Sequence, residues 1–191
     1  MNPGNRPGAW MQPAEEAALV QGAGRGNRTA FFTLLRYYDA SVYRIIFALV
    51  RNAESAQALT RETFLRAWKG VGKIPEGQQF YPWLTRIARG LAVTQVRRSA
   101  PAPASGAALG LTRNPAEAGV RDPLRVRACE QAFAELGIDH QVILVLRVVE
   151  KLSYADIART LDIPLGATLS RLATARAAIA KRLEGPQENA A

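Results

Sequence analysis

Apolar positions recur along this chain at intervals of three and four, the period of a helix with one buried face. The first clear series is Phe31, Leu35, Tyr38, Val42, Ile45 and Leu49. A second runs through Leu59, Phe64, Ala67, Trp68 and Val71, and a third through Phe80, Trp83, Leu84, Ile87 and Leu91. After a gap the pattern resumes with Val126, Cys129, Phe133 and Leu136. Residues 142–149, VILVLRVV, are apolar almost all round, as a central buried helix should be. The fold expected from these stripes is all-α.

Breaks in the pattern divide the chain. Residues 1–13 are rich in proline and glycine and read as a disordered tail. Residues 99–120, SAPAPASGAALGLTRNPAEAGV, hold no sustained period and read as a flexible linker. Two small helical modules, 14–98 and 121–185, remain, with a tail at 186–191. The linker's 22 residues reach at most ~75 Å extended and ~26 Å as a random coil.

The second module carries the sharpest local signal. Ser153 followed by Asp156 fits a capping box, with Asp in place of the usual Glu, and Leu152 and Ile157 stand where a hydrophobic staple closes. The helix started there runs to about Leu161, where DIP (162–164) breaks it, and another begins near Leu165. This is the spacing of a helix-turn-helix in a four-helix module, although an ordinary helical hairpin has the same spacing.

Composition narrows the function. The chain has a formal net charge of +9, which favours phosphate backbones or acidic protein surfaces. Residues 1–98 hold 14 Lys and Arg against 6 Asp and Glu, whereas 121–191 hold 10 against 9. One Cys and one His exclude a disulfide framework and a structural zinc site, so no metal or other cofactor is expected. His140, ahead of the apolar run, reads as a surface or capping residue. No stretch reaches the ~18 unbroken apolar residues of a membrane span. The first residues lack the basic start and apolar core of a signal peptide, so a cytoplasmic protein is expected. Neither paired carboxylates, a nucleophile with its base, nor a glycine-rich phosphate loop is evident, which argues against an enzyme.

Three stretches in order, LTRETFLRAWKG (59–70), FYPWLTRIARGLAVTQVRR (80–98) and VILVLRVVEKLSYADIARTLDIPLGATLSRLATARA (142–177), resemble bacterial RNA polymerase sigma factors of the extracytoplasmic-function (ECF) group. The resemblance covers nearly everything except the tails and the linker. It implies that the first module binds core polymerase and the −10 promoter element, and that the second places its last helix at the −35 element. It implies further an anti-sigma factor as a regulatory partner, and a chain that is monomeric when free.

The residues carrying these roles come from matched positions and local chemistry. Core polymerase contacts are expected from Glu54, Gln57, Arg61, Glu62 and Arg66. For −10 binding and melting the candidates are Lys73, Tyr81, Arg86, Arg89, Arg97 and Arg98. Residues 77–98 contain no acid, and a basic, aromatic-bearing surface suits single-stranded DNA, on which bases stack at ~1–3 kcal/mol each. Phe80 and Trp83 are expected in the core, with Tyr81 projecting elsewhere. The loop at 70–79 is where the family places the pocket for a flipped base.

For −35 binding the candidates are Ser170, Arg171, Thr174, Arg176 and Lys181. At ~100° per residue, Leu165, Thr168, Leu172, Ala175, Ile179 and Leu183 share the inward face. Opposite them lie Ser170, Ala173, Thr174, Ala177 and Lys181.

The chain departs from the family pattern in three places. Ser55, Gln57 and Ala58 stand where acids are common. Leu169 and Thr174 replace basic residues on the last helix. Asp162 occupies a position where glycine often ends the preceding helix. The first two departures keep a second reading open: a sigma-like protein that binds an anti-sigma factor or polymerase without recognising a promoter. A repressor using the second module alone has no use for the first.

Overall fold

A computed structural model describes residues 11–75, 77–98 and 123–184. These form eight α-helices and, among the described residues, no strand. The first module comprises α1 (Pro13–Gly24), α2 (Arg28–Val50), α3 (Ala53–Gly70) and α4 (Phe80–Arg98), with a 3₁₀ turn at Val71–Lys73. The second comprises α5 (Pro123–Glu135), α6 (Ile138–Leu144), α7 (Tyr154–Leu161) and α8 (Leu165–Glu184), with a π turn at Val145–Val149. The all-α expectation holds. The expected linker at 99–120 and the final tail at 186–191 lie outside the described residues.

Of the tail expected over 1–13, residues 1–10 lie outside the described residues, and of the last three Met11 is packed and Pro13 helical instead. Met11 is buried and its N–H donates to the Tyr38 hydroxyl at 3.3 Å. Pro13 then opens α1, a position where its missing N–H costs nothing.

In the first module α2 is the central helix, packed on α1, α3 and α4. Asn27 caps it by accepting from the Ala30 N–H at 3.1 Å, and Asn52 caps α3 by accepting from the Ser55 N–H at 2.8 Å. The buried face of α2 is Phe31, Leu34, Tyr38, Val42, Ile45 and Leu49. Leu35, expected in that stripe, is only half-buried, and Leu34 takes its place in the core.

The second module starts its helix-turn-helix as its residues dictate. The Ser153 hydroxyl accepts from the Asp156 N–H at 3.1 Å and donates to the Asp156 carboxylate at 2.6 Å. Leu152 and Ile157 are both buried, and a fully buried side chain of that size contributes about 2 kcal/mol. Asp162 ends α7 in the left-handed region at φ 56°, its N–H donating to the Ala158 carbonyl. It takes the glycine-like conformation that the position demands.

Residues 142–149 are not apolar-buried throughout. Val142 to Leu146 are buried, but Val148 is exposed. The reason is the π turn, in which the Glu150 N–H donates to the Val145 carbonyl five residues back. The extra residue turns Val148 to solvent and aims Glu150 inward, where it is 1% exposed.

The two modules pack against one another. α7 lies along α4, while α6 and the π turn sit on α2. The buried apolar side chains form one continuous cluster from Met11 to Ala175.

Candidate nucleic-acid interface

The outer surface of α3 carries the residues expected to meet polymerase. Glu54, Gln57, Arg61 and Arg66 are exposed and Glu62 is half-exposed. The Arg66 guanidinium donates to Glu62 at 2.6 Å, an exposed pair one turn apart and worth about 0.5 kcal/mol or less. Leu65 on the same helix, and Phe32 on α2, are more than half exposed, although large apolar side chains on most helices turn inward. The structure thus gathers all five expected residues on one helix, next to apolar surface.

The helix α4 begins with an unforeseen cap. Glu16, buried on α1, accepts from the Phe80 N–H at 3.0 Å and from the Tyr38 hydroxyl at 2.5 Å. The loop ahead of α4 and the 3₁₀ turn face α1 across a cleft of about 680 Å³, lined by Val20, Gln21, Val71, Ile74 and Gln78 among others. Lys73 is exposed at the end of that turn.

Along α4, Phe80 is fully buried and Trp83 half-buried against Phe80, at a centroid distance of 5.8 Å. Tyr81 requires a correction. It does not project outward but is 2% exposed, stacked at a tilt on Tyr38 at 5.1 Å. Its hydroxyl lies 2.9 Å from that of Ser41. Burial, and then the nearby Glu150 carboxylate, push its pKa well above the usual phenol value. The cause is that Tyr81 is buried against Tyr38 and Ser41 of α2, at the seam where Glu150 of the second module reaches the same Ser41.

The four arginines of α4 divide into two pairs. Arg97 and Arg98 are exposed at its C-terminal end, where the helix dipole favours cations. Arg86, also exposed, and Arg89, half-exposed, reach toward the second module. Arg86 Nε donates to the Thr160 carbonyl at 3.4 Å, and Arg89 pairs with Asp139 at 2.5 Å.

On α8 the inward face is Thr168, Leu172 and Ala175, all buried, with Ile179 and Leu183 half-buried. Leu165, expected there, is 49% exposed, because it opens the helix ahead of the packed turn. Ser170, Thr174, Arg176 and Lys181 are exposed and Arg171 is half-exposed. Leu169 is exposed among them.

Sequence reasoning missed a buried polar cluster between the modules. Arg44, on α2, donates from Nε to one Glu150 oxygen at 2.8 Å and from Nη2 to the other at 3.1 Å. The Ser41 hydroxyl donates to Glu150 as well. The only signal in the chain was a charge at the end of an apolar run and another inside one.

A basic helical chain whose second module ends in a helix-turn-helix with an outward-facing second helix defines a DNA-binding protein. Comparison with known proteins makes the class specific. Residues 34–101 match Sigma-70 region 2, and residues 127–179 match Sigma-70 region 4. RNA polymerase sigma-H factor of Pseudomonas aeruginosa is 32% identical over 183 residues, 89% of this chain and 94% of that protein. ECF RNA polymerase sigma factor SigW of Bacillus subtilis is 26% identical, over 83% of this chain and 91% of that one. Among solved structures, CnrH in complex with the cytosolic domain of CnrY shares the fold at a TM-score of 0.70, with 18% identity, 91% of this chain and 99% of that chain covered. This chain belongs to the ECF group of RNA polymerase sigma factors.

Proposed function

We propose that this sigma factor binds core polymerase through the outer face of α3, meets −10 DNA with α4 and sets α8 on the −35 duplex. As a member of its family the chain directs promoter-specific initiation. The assignment of residues to each role is our reading. The observation that carries it is the outward face of α8, where Ser170, Thr174, Arg176 and Lys181 are exposed behind a capped helix-turn-helix. Hydroxyls there bond several base edges and discriminate weakly, while the flanking Arg171 and Arg176 suit phosphates or a bidentate guanine contact.

Added to core polymerase, the protein should give transcription from its own promoters, and Arg171→Ala should weaken −35 binding at fixed salt. Tight association with core and no initiation at any promoter supports the alternative, a sigma-like interaction protein. Leu169 and Thr174 favour that alternative, because they remove positive charge where the −35 helix meets DNA. An anti-sigma factor is the expected regulator, since the neighbouring CnrH was solved bound to the cytosolic domain of CnrY. None of the described helices is long and apolar enough to cross a membrane.

A further inference from the structure

From the geometry between the modules we infer that the free chain is held shut by an ion-pair latch, Arg44 with Glu150, and that this closure withholds α4 from DNA. The occlusion rests on the proposed −10 role of α4; the latch does not.

Among the described residues, Glu150 is the only buried acid of the second module. Every hydrogen bond found for its carboxylate comes from the first module, two from Arg44 and one from Ser41. Arg44 in turn is mostly buried, at 15% side-chain exposure. A carboxylate so placed would lack compensation if the modules stayed together without Arg44, because a buried charge stripped of its partner is strongly unfavourable. With the modules apart, both groups would be hydrated. The pair therefore ties two alternatives together: docked and paired, or separated and wet.

The same seam takes up α4. Arg89 pairs with Asp139, Arg86 reaches the Thr160 carbonyl and the Tyr81 hydroxyl sits beside Ser41 under Glu150. Arg159 of α7 donates to Gln79, in the loop before α4, at 3.1 Å. Two of the six residues expected to handle −10 DNA, Arg86 and Arg89, thus bond to the second module, and a third, Tyr81, is buried at the seam. A ligand that binds only the open form sees its affinity reduced by the fraction of chains that are open.

The experiment uses the full chain with Cys129→Ser and single cysteines at two exposed sites, Leu65 on α3 and Ala178 on α8, carrying a donor and an acceptor dye. Wild type should show high energy transfer. Glu150→Gln, which keeps the shape and removes the charge, should lower it. Asp139→Asn, at a surface position that does not threaten the fold, should lower it by a smaller amount. Circular dichroism checks that both variants keep their helices. In parallel, binding of a fluorescent oligo(dT) strand should tighten at least fivefold in Glu150→Gln, and Arg86→Ala in that background should remove most of the gain. Low transfer in wild type, or transfer unchanged in both variants, overturns the latch. Lowered transfer with unchanged oligo(dT) affinity overturns the occlusion and leaves the latch standing; the −10 role of α4 falls only if Arg86→Ala with Arg97→Ala also leaves oligo(dT) affinity unchanged in the opened variant.

Discussion

Glu16 accepts from the backbone N–H of Phe80 at 3.0 Å, so a carboxylate on the first helix closes the N-terminus of the fourth. The same side chain takes the Tyr38 hydroxyl of α2. Three helices of the first module therefore meet at one acid. Glu16→Ala would leave a buried N–H and a buried hydroxyl without an acceptor, at a cost of about 2–4 kcal/mol. Denaturant unfolding should show that loss in the midpoint, with helix content retained in water.

Two buried phenols set an alkaline limit. Burial and the Glu16 carboxylate hold the Tyr38 pKa well above the ordinary phenol value; burial and Glu150 do the same for Tyr81. A phenol whose folded pKa is raised stabilises the fold fully below the unfolded pKa of about 10 and loses that contribution as pH rises beyond it. Stability should therefore fall above about pH 10. Phenolate absorbance should show two tyrosines that ionise only with unfolding. Tyrosines titrating freely in the folded protein would contradict their burial.

Three helix ends carry side chains where glycine fits better. Arg51, Lys151 and Asp162 all have φ of 56°. Replacing Lys151 with glycine should stabilise the protein by about 1 kcal/mol, since a β-carbon in that region costs roughly 1–2 kcal/mol. Asp162→Gly should gain less, because Asp tolerates the region better. Thermal melts of both variants against wild type test this ranking.

Leu169 lies exposed on the helix assigned to −35 DNA, among Ser170, Thr174 and Arg176. Leu169→Arg should tighten binding to a −35 duplex and steepen the salt dependence by about one counterion. An unchanged salt slope would mean that this face of α8 does not meet DNA.

The two modules, the helix-turn-helix and its cap were legible because each rests on local chemistry: an apolar period, a Ser three residues before an Asp, a proline in a turn. The outward residues of α8 came from the same period. Tyr81 was misread because a helical wheel assigns one buried face, whereas α4 is covered from two directions. Met11 and α1 escaped notice because Ala-rich turns carry little periodic contrast. Glu16, Ser41, Arg44 and Glu150 were invisible for another reason. Their partners lie 22 to 109 residues away, and no local pattern announces a pair of that separation.

The π turn at Val145–Val149 gives the run one residue more than an α-helix would spend on the same rise. Wound as an ordinary α-helix, the same residues would swing the chain beyond them by ~100°. Glu150 would leave the seam with its chemistry untouched. The grip of one module on the other is thus set by how the backbone winds at one point, where a hydrogen bond reaches back five residues instead of four.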